Sequence, residues 1–149
     1  MAEMHEGGCV CGAVRYRVRN KPVRTGACHC TFCQRRTGSA FGIGAYFRED
    51  DVEILRGALK TYEHRSDESK RWLRMQFCPI CGTTVTWTVE LLPGARAIGV
   101  GTFDDPKWLK VERHTWMRSA HPWMVPPPNV EVFQQGSLQQ PLAIKKAQS

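Results

Sequence analysis

The sequence predicts a mainly β protein built around cysteine knuckles, and three observations carry that prediction. Runs of alternating or β-branched residues are short and are separated by Gly, Pro, Asp and Ser turns. No stretch carries the period of a long amphipathic helix. All seven cysteines of the 149-residue chain fall into three tight clusters.

The elements follow in order. Val14 to Val18 alternates apolar and basic residues, the period of a half-buried strand. Gln34-Arg35-Arg36 begins a short helix after the second cysteine cluster. Phe41, Ile43, Ala45 and Phe47 alternate again, and Gly42 and Gly44 between them mark a bulge or a close approach of another backbone or a ligand. Leu59 to His64 and Arg71 to Phe77 read as strands joined by the turn Ser66-Asp67-Glu68-Ser69. Thr83 to Val89, rich in β-branched residues, is the clearest strand. Leu92-Pro93-Gly94 turns the chain into a strand over Ala95 to Thr102. Asp104-Asp105-Pro106 breaks it with one helical turn, and Val111 to Met117 reads as the last core strand. From Pro122 the chain is extended, with Pro126-Pro127-Pro128 a polyproline stretch. Length and composition fit one domain over 1–133 and a polar, loosely held tail over 134–149.

Composition narrows the functional classes. No apolar run nears the roughly 20 residues that span a bilayer, and the start Met1-Ala2-Glu3-Met4-His5-Glu6 is polar and acidic, unlike a secretory signal. The expectation is a soluble cytoplasmic protein. An odd cysteine count in tight clusters favours metal ligation over disulfides. Seven thiolates and two Zn²⁺ would reduce the formal charge of +7 to about +4. The basic residues are scattered, without the clustered Lys/Arg and exposed aromatics of a nucleic-acid surface.

The clusters are Cys9-Val10-Cys11, Cys28-His29-Cys30-Thr31-Phe32-Cys33 and Cys78-Pro79-Ile80-Cys81. The first pairs with the third: Gly12 and Gly82 each follow the last cysteine of a pair, where glycine permits a tight turn that points N–H groups at sulfur. Four thiolates make a closed tetrahedral zinc site; an iron–sulfur cluster takes the same donors. The middle cluster supplies only Cys28, Cys30 and Cys33. Either His5, His64, His114 or His121 closes it as Cys₃His, or a position stays open for water or substrate. His29, between two ligands, points away.

Gly8 to Tyr16, Cys28 to Arg35 with Thr37-Gly38-Ser39-Ala40, and Phe77 to Thr83 resemble the glutathione-dependent formaldehyde-activating enzyme family, which also includes centromere protein V. The likeness continues through Gly101 to Pro106, His114 and Pro122-Trp123. The resemblance implies two packed antiparallel sheets, β-sandwich-like, with zinc knuckles and few short helices, similar to a small zinc protein that promotes nucleotide release from Rab GTPases. It implies a structural zinc on Cys9, Cys11, Cys78 and Cys81, and a catalytic zinc on Cys28, Cys30 and Cys33.

The implied activity is that of a zinc-dependent carbon–sulfur lyase, joining a thiol such as glutathione to a small aldehyde such as formaldehyde to give S-(hydroxymethyl)glutathione. Glutathione carries two carboxylates, so Arg35 and Arg36 beside the middle cluster are the candidate cofactor-binding donors. His114 is a proton shuttle or a hydrogen-bonded core residue, and Trp123 covers the core. The competing reading is a non-enzymatic, zinc-stabilised interaction module.

Overall fold

The computed structural model describes residues 3–146. In chain order its elements are β1 (Met4–Gly8), β2 (Arg15–Arg19), β3 (Arg24–Cys28), α1 (Thr31–Thr37), β4 (Gly42–Arg48), β5 (Val52–Arg56), β6 (Lys60–Arg65), β7 (Trp72–Phe77), β8 (Thr84–Val89), β9 (Ala95–Gly99), β10 (Arg113–Thr115) and β11 (Glu131–Val132). The fold is mainly β, as expected, with single 3₁₀ turns between several strands.

Two sheets form. The smaller has the order β1-β2-β5 and the larger the order β11-β10-β3-β4-β9-β8-β7-β6. The smaller sheet is antiparallel, as is the larger from β3 through β6. At the other edge β10 runs parallel to both β3 and β11, a departure from the fully antiparallel expectation. The chain reaches β10 by a long crossover after β9, and such a return can place a strand parallel to its neighbour.

Alternation decides what each face of the large sheet does. Ala45 and Phe47 of β4 and Ile98 of β9 are fully buried against Tyr16 and Val18 of β2, with Val14, Val85 and Phe103 completing the core between the sheets. Thr25 and Ala27 of β3 are buried too. The intervening residues Arg24, Gly26 and Cys28 of β3, and Gly42, Gly44 and Tyr46 of β4, line a cleft on the opposite face.

The strand expected over Ala95 to Thr102 ends at Gly99, because Val100–Thr102 tightens into a 3₁₀ turn. Thr102 Oγ1 donates 2.7 Å to the Gly99 carbonyl and closes that turn. The last core strand shrinks from the expected Val111–Met117 to Arg113–Thr115. Four strands lie outside the sequence reading: β1, β3, β5 and β11. β1 and β3 contain glycine, and their places are fixed by partners rather than by intrinsic preference.

Trp123 does not cover the core: it is 68 % exposed and meets His121 edge-to-face, at 5.8 Å between centroids. The segment read as a loose tail is anchored. Leu142 and Ile144 donate backbone hydrogen bonds to Leu91 and Pro93, and the Trp116 amide donates to Gln135. Residues 147–149 lie outside the described residues.

Candidate functional site

The sulfurs of Cys9, Cys11, Cys78 and Cys81 lie within 4.8 Å of one another, as do those of Cys28, Cys30 and Cys33. In the first group Cys9–Cys11 and Cys11–Cys78 are 3.6 and 3.8 Å apart. Thiolates about 2.3 Å from a tetrahedral zinc sit roughly 3.8 Å from each other, so this group has the dimensions of such a site. The donor set therefore fits a thiophilic divalent ion.

Both knuckles are built alike. The Cys9 amide donates to Val14 and the Cys78 amide to Thr83, while Gly12 and Gly82 close the turns by donating back to Cys9 and Cys78. Gly12 has φ +77° and Gly82 φ +79°, the left-handed region that glycine enters without penalty. Val14 N–H donates to Cys9 Sγ at 3.2 Å and Ile80 N–H to Cys78 Sγ at 3.4 Å. A hydrogen bond with Thr83 lowers the Cys81 thiol to about 5. Each of these contacts favours thiolate, the form that binds metal.

The three-cysteine group sits where β3 ends and α1 begins. Cys30 is the N-cap of α1, and its Sγ accepts from the Cys33 amide at 3.2 Å. Hydrogen bonds from Cys28 and Cys30, helped by the Arg36 charge, hold Cys33 well below the ordinary 9.0 despite burial. Cys28 moves the other way, raised by sharing a proton with Cys30 and Cys33 and by burial. Thiolate character is therefore favoured at Cys33, with Arg36 beside it.

Arg36 is positioned from three directions. It lies three residues after Cys33, on the same face of α1. Its guanidinium stacks 4.5 Å above the Trp87 ring. Gly42 gives it room: a Cβ there would come 2.5 Å from Arg36 Nη2. Gly44 does the same for Trp87, since its Cβ would meet Trp87 Cζ2 at 2.7 Å. Trp87 Nε1 in turn donates to Tyr46 Oη at 3.2 Å. The two glycines flagged by sequence therefore admit side chains from neighbouring elements, and neither marks a bulge.

Every candidate histidine is engaged away from the three sulfurs. His29 is fully buried, with Nε2 2.9 Å from Nδ1 of His114. His5 stacks on Trp108 and His64 on Phe32. His121 Nε2 is 3.0 Å from Gln34 Oε1, while Gln34 Nε2 donates to the carbonyls of His29 and Ser119. Among the described residues, no histidine or carboxylate joins Cys28, Cys30 and Cys33 as a fourth donor. His114 is thus the hydrogen-bonded core residue of the two alternatives.

The three cysteines open into a cleft of about 610 Å³. Arg35 and Arg36 line it, as do Phe32 and His64 and the segment Gly136-Ser137-Leu138. Sequence reasoning missed Trp87, Tyr46, Arg24 and Arg113, which line it too. The period-two pattern Arg24, Gly26, Cys28 was the available signal, had β3 been read as a strand.

Together these features define a class: a small β-sheet protein with two thiolate clusters of metal-binding geometry, one of them at a cleft. The family model for the glutathione-dependent formaldehyde-activating enzyme matches residues 4–119, and the chain belongs to that family. It is also similar to a Rhodobacter sphaeroides protein of known crystal structure, with 26 % identity and a TM-score of 0.55 over 71 % of this chain and 96 % of that one. No helix among the described residues is long and apolar enough to cross a membrane.

Proposed function

We propose that the chain is a zinc-dependent carbon–sulfur lyase that interconverts a thiol and a small aldehyde with their S-hydroxyalkyl adduct, glutathione and formaldehyde being the pair its family implies. The single observation that carries this reading is the set of three cysteine donors with no fourth histidine or carboxylate ligand among the described residues, facing a cleft of about 610 Å³. Cys28, Cys30 and Cys33 would hold the catalytic zinc, and Cys9, Cys11, Cys78 and Cys81 the structural one. Such a protein belongs in the reducing cytoplasm, where the ligating thiols stay unpaired.

In this reading zinc, when bound, acts as a Lewis acid that stabilises thiolate at neutral pH. The chain's own residues do the rest. Arg36, stacked on Trp87 beside Cys33, balances the anionic charge that accumulates around three thiolates and an incoming sulfur. Arg35 supplies a guanidinium fork for a substrate carboxylate. Phe32, Trp87 and Tyr46 wall the cleft and restrict water and substrate motion, raising the effective concentration of aldehyde against sulfur. The carbon–sulfur bond forms as the carbonyl π bond breaks, and the proton lost by the thiol ends on the new hydroxyl oxygen. No electron leaves the pair of reactants.

The test is adduct formation followed by NMR with labelled formaldehyde and glutathione. Wild type accelerates exchange above the uncatalysed rate, and Cys30→Ala abolishes the acceleration while circular dichroism and the metal equivalent at Cys9, Cys11, Cys78 and Cys81 persist. A wild-type rate equal to the uncatalysed one sinks this substrate pair.

A further inference from the structure

The cleft has a cationic end that neither the thiolate clusters nor Arg35 and Arg36 explain. Arg24 and Arg113 both line it, on strands that run side by side. Arg113 lies opposite Gly26 and Thr115 opposite Cys28, so Arg113 stands two residues along the sheet from the cysteine, about 7 Å. Gly26 helps make the place: a Cβ there would come 3.2 Å from Arg113 Cγ, a tight contact that glycine avoids, easing the path of the arginine stem across β3.

The donors at this end outnumber the acceptors. Arg113 Nε and Nη1 are buried and meet no acceptor among the described residues. Its Nη2 is 3.4 Å from Glu131 Oε1, on a glutamate 62 % exposed to solvent. Arg24 gives Nη2 to the neutral hydroxyl of Ser137. Burial first, then the Arg113 charge, pushes the Arg24 guanidinium downward, as expected when two cations share a partly desolvated site. Glu131 approaches Arg113 from the far side of β10, away from β3, and no carboxylate forms an ion pair with Arg24 among the described residues, so both guanidiniums keep unused fork geometry, the arrangement that takes a carboxylate in bidentate fashion.

We propose that Arg24 and Arg113 form an anion subsite for a carboxylate of the thiol substrate, so that the cleft selects carboxylated thiols over neutral ones. This rests on the reading that a thiol enters at Cys28, Cys30 and Cys33. The residues that hold the two arginines, Glu131 and Ser137, lie beyond the family-matched residues 4–119. The C-terminal segment thereby takes part in substrate choice.

Calorimetric titration of the zinc-loaded full chain with S-methylglutathione tests this, because the probe keeps both carboxylates but cannot present a thiolate. Wild type binds it, and Arg113→Met and Arg24→Met each weaken binding at least about tenfold. The diethyl ester of the probe binds wild type more weakly still, because it also lacks the carboxylate assigned to Arg35, and it loses nothing further in Arg113→Met. Arg113→Lys, which keeps the charge and loses the fork, falls between, and serves if the methionine variant melts early. No binding by wild type, equal binding by Arg113→Met, or equal binding of acid and ester overturns the proposal. Adduct formation from glutathione and formaldehyde is measured separately; its absence beside an intact acid-over-ester preference sinks the catalytic reading and leaves the subsite standing.

Discussion

His29 Nε2 and His114 Nδ1 lie 2.9 Å apart, so one imidazole donates and the other accepts, and the pair holds a single proton between them. The contact joins the middle cysteine cluster to β10, alongside the His29 amide, which donates to the Thr115 carbonyl. Burial holds His114 below its ordinary 6.5. The unfolded chain therefore takes up a proton at His114 near 6.5 while the folded chain does not. Stability falls as pH drops below about 6.5 and levels off below the folded value.

The expected outcome is a wild-type melting temperature that declines from pH 7 to pH 5, and a shallower decline in His114→Asn. Thermal melts across that range, with bound metal quantified at each pH, separate this effect from acid release of the ion. Identical slopes in the two proteins would remove His114 from the account.

Gly44 seats Trp87, and Trp87 seats Arg36. Gly44→Ala should overpack the site at a cost of about 1–3 kcal/mol, displacing the indole and with it the guanidinium above Cys33. A shift in tryptophan emission accompanied by a lower denaturation midpoint is the expected result. An unchanged midpoint would mean that Trp87 relaxes freely.

Arg36→Met keeps the side-chain stem and removes the charge beside Cys33. Because that charge helps lower the Cys33 thiol, the variant should bind its second metal equivalent about 10–100-fold more weakly, the usual scale for a lost outer-shell partner. Chelator competition reads this directly. The first equivalent, at Cys9, Cys11, Cys78 and Cys81, should bind as before.

The two clusters should also differ in what their loss does to the fold. Cys78 is fully buried and ties the N-terminal knuckle to the β7–β8 turn, so Cys78→Ser should destroy cooperative unfolding or abolish soluble expression. Cys30→Ser should leave a folded chain. Gly82→Ala sits at φ +79° with nothing within 4 Å of the added methyl, so its cost is conformational alone, about 1–2 kcal/mol. Urea titration of the three variants orders them.

Much of this was legible in the residues. The knuckle glycines and the family resemblance paired the first and third clusters, Gly12 and Gly82 predicted tight turns, alternation placed Tyr16 and Val18 in β2, and β-branched residues marked β8. What sequence hid was non-local. Arg24-Thr25-Gly26-Ala27-Cys28 has little strand preference of its own, and becomes β3 because β4 and β10 pair with it. Gly42 and Gly44 left a bulge and a close approach as alternatives, and the groups that approach, the side chains of Arg36 and Trp87, come from other elements. Trp123 was misplaced because hydrophobicity alone ranks a tryptophan inside, whereas Pro122 and the irregular chain around it hold the ring outside. The polar composition of 134–146 concealed backbone hydrogen bonds to Leu91 and Pro93, which no side-chain pattern reports.

The four-sulfur site joins Cys11 to Cys78 across 67 positions of chain. During synthesis at about 5–20 residues per second, the N-terminal half of that site waits roughly 3–13 seconds for the rest of its ligands. Cys28, Cys30 and Cys33 are made within that interval, so thiols of the other cluster are present before Cys78 and Cys81 exist. An ion captured early would be shared between them and must be handed over when Cys78 and Cys81 arrive. Native pairing of the clusters would then require an early-bound ion to exchange from one set of thiolates to the other.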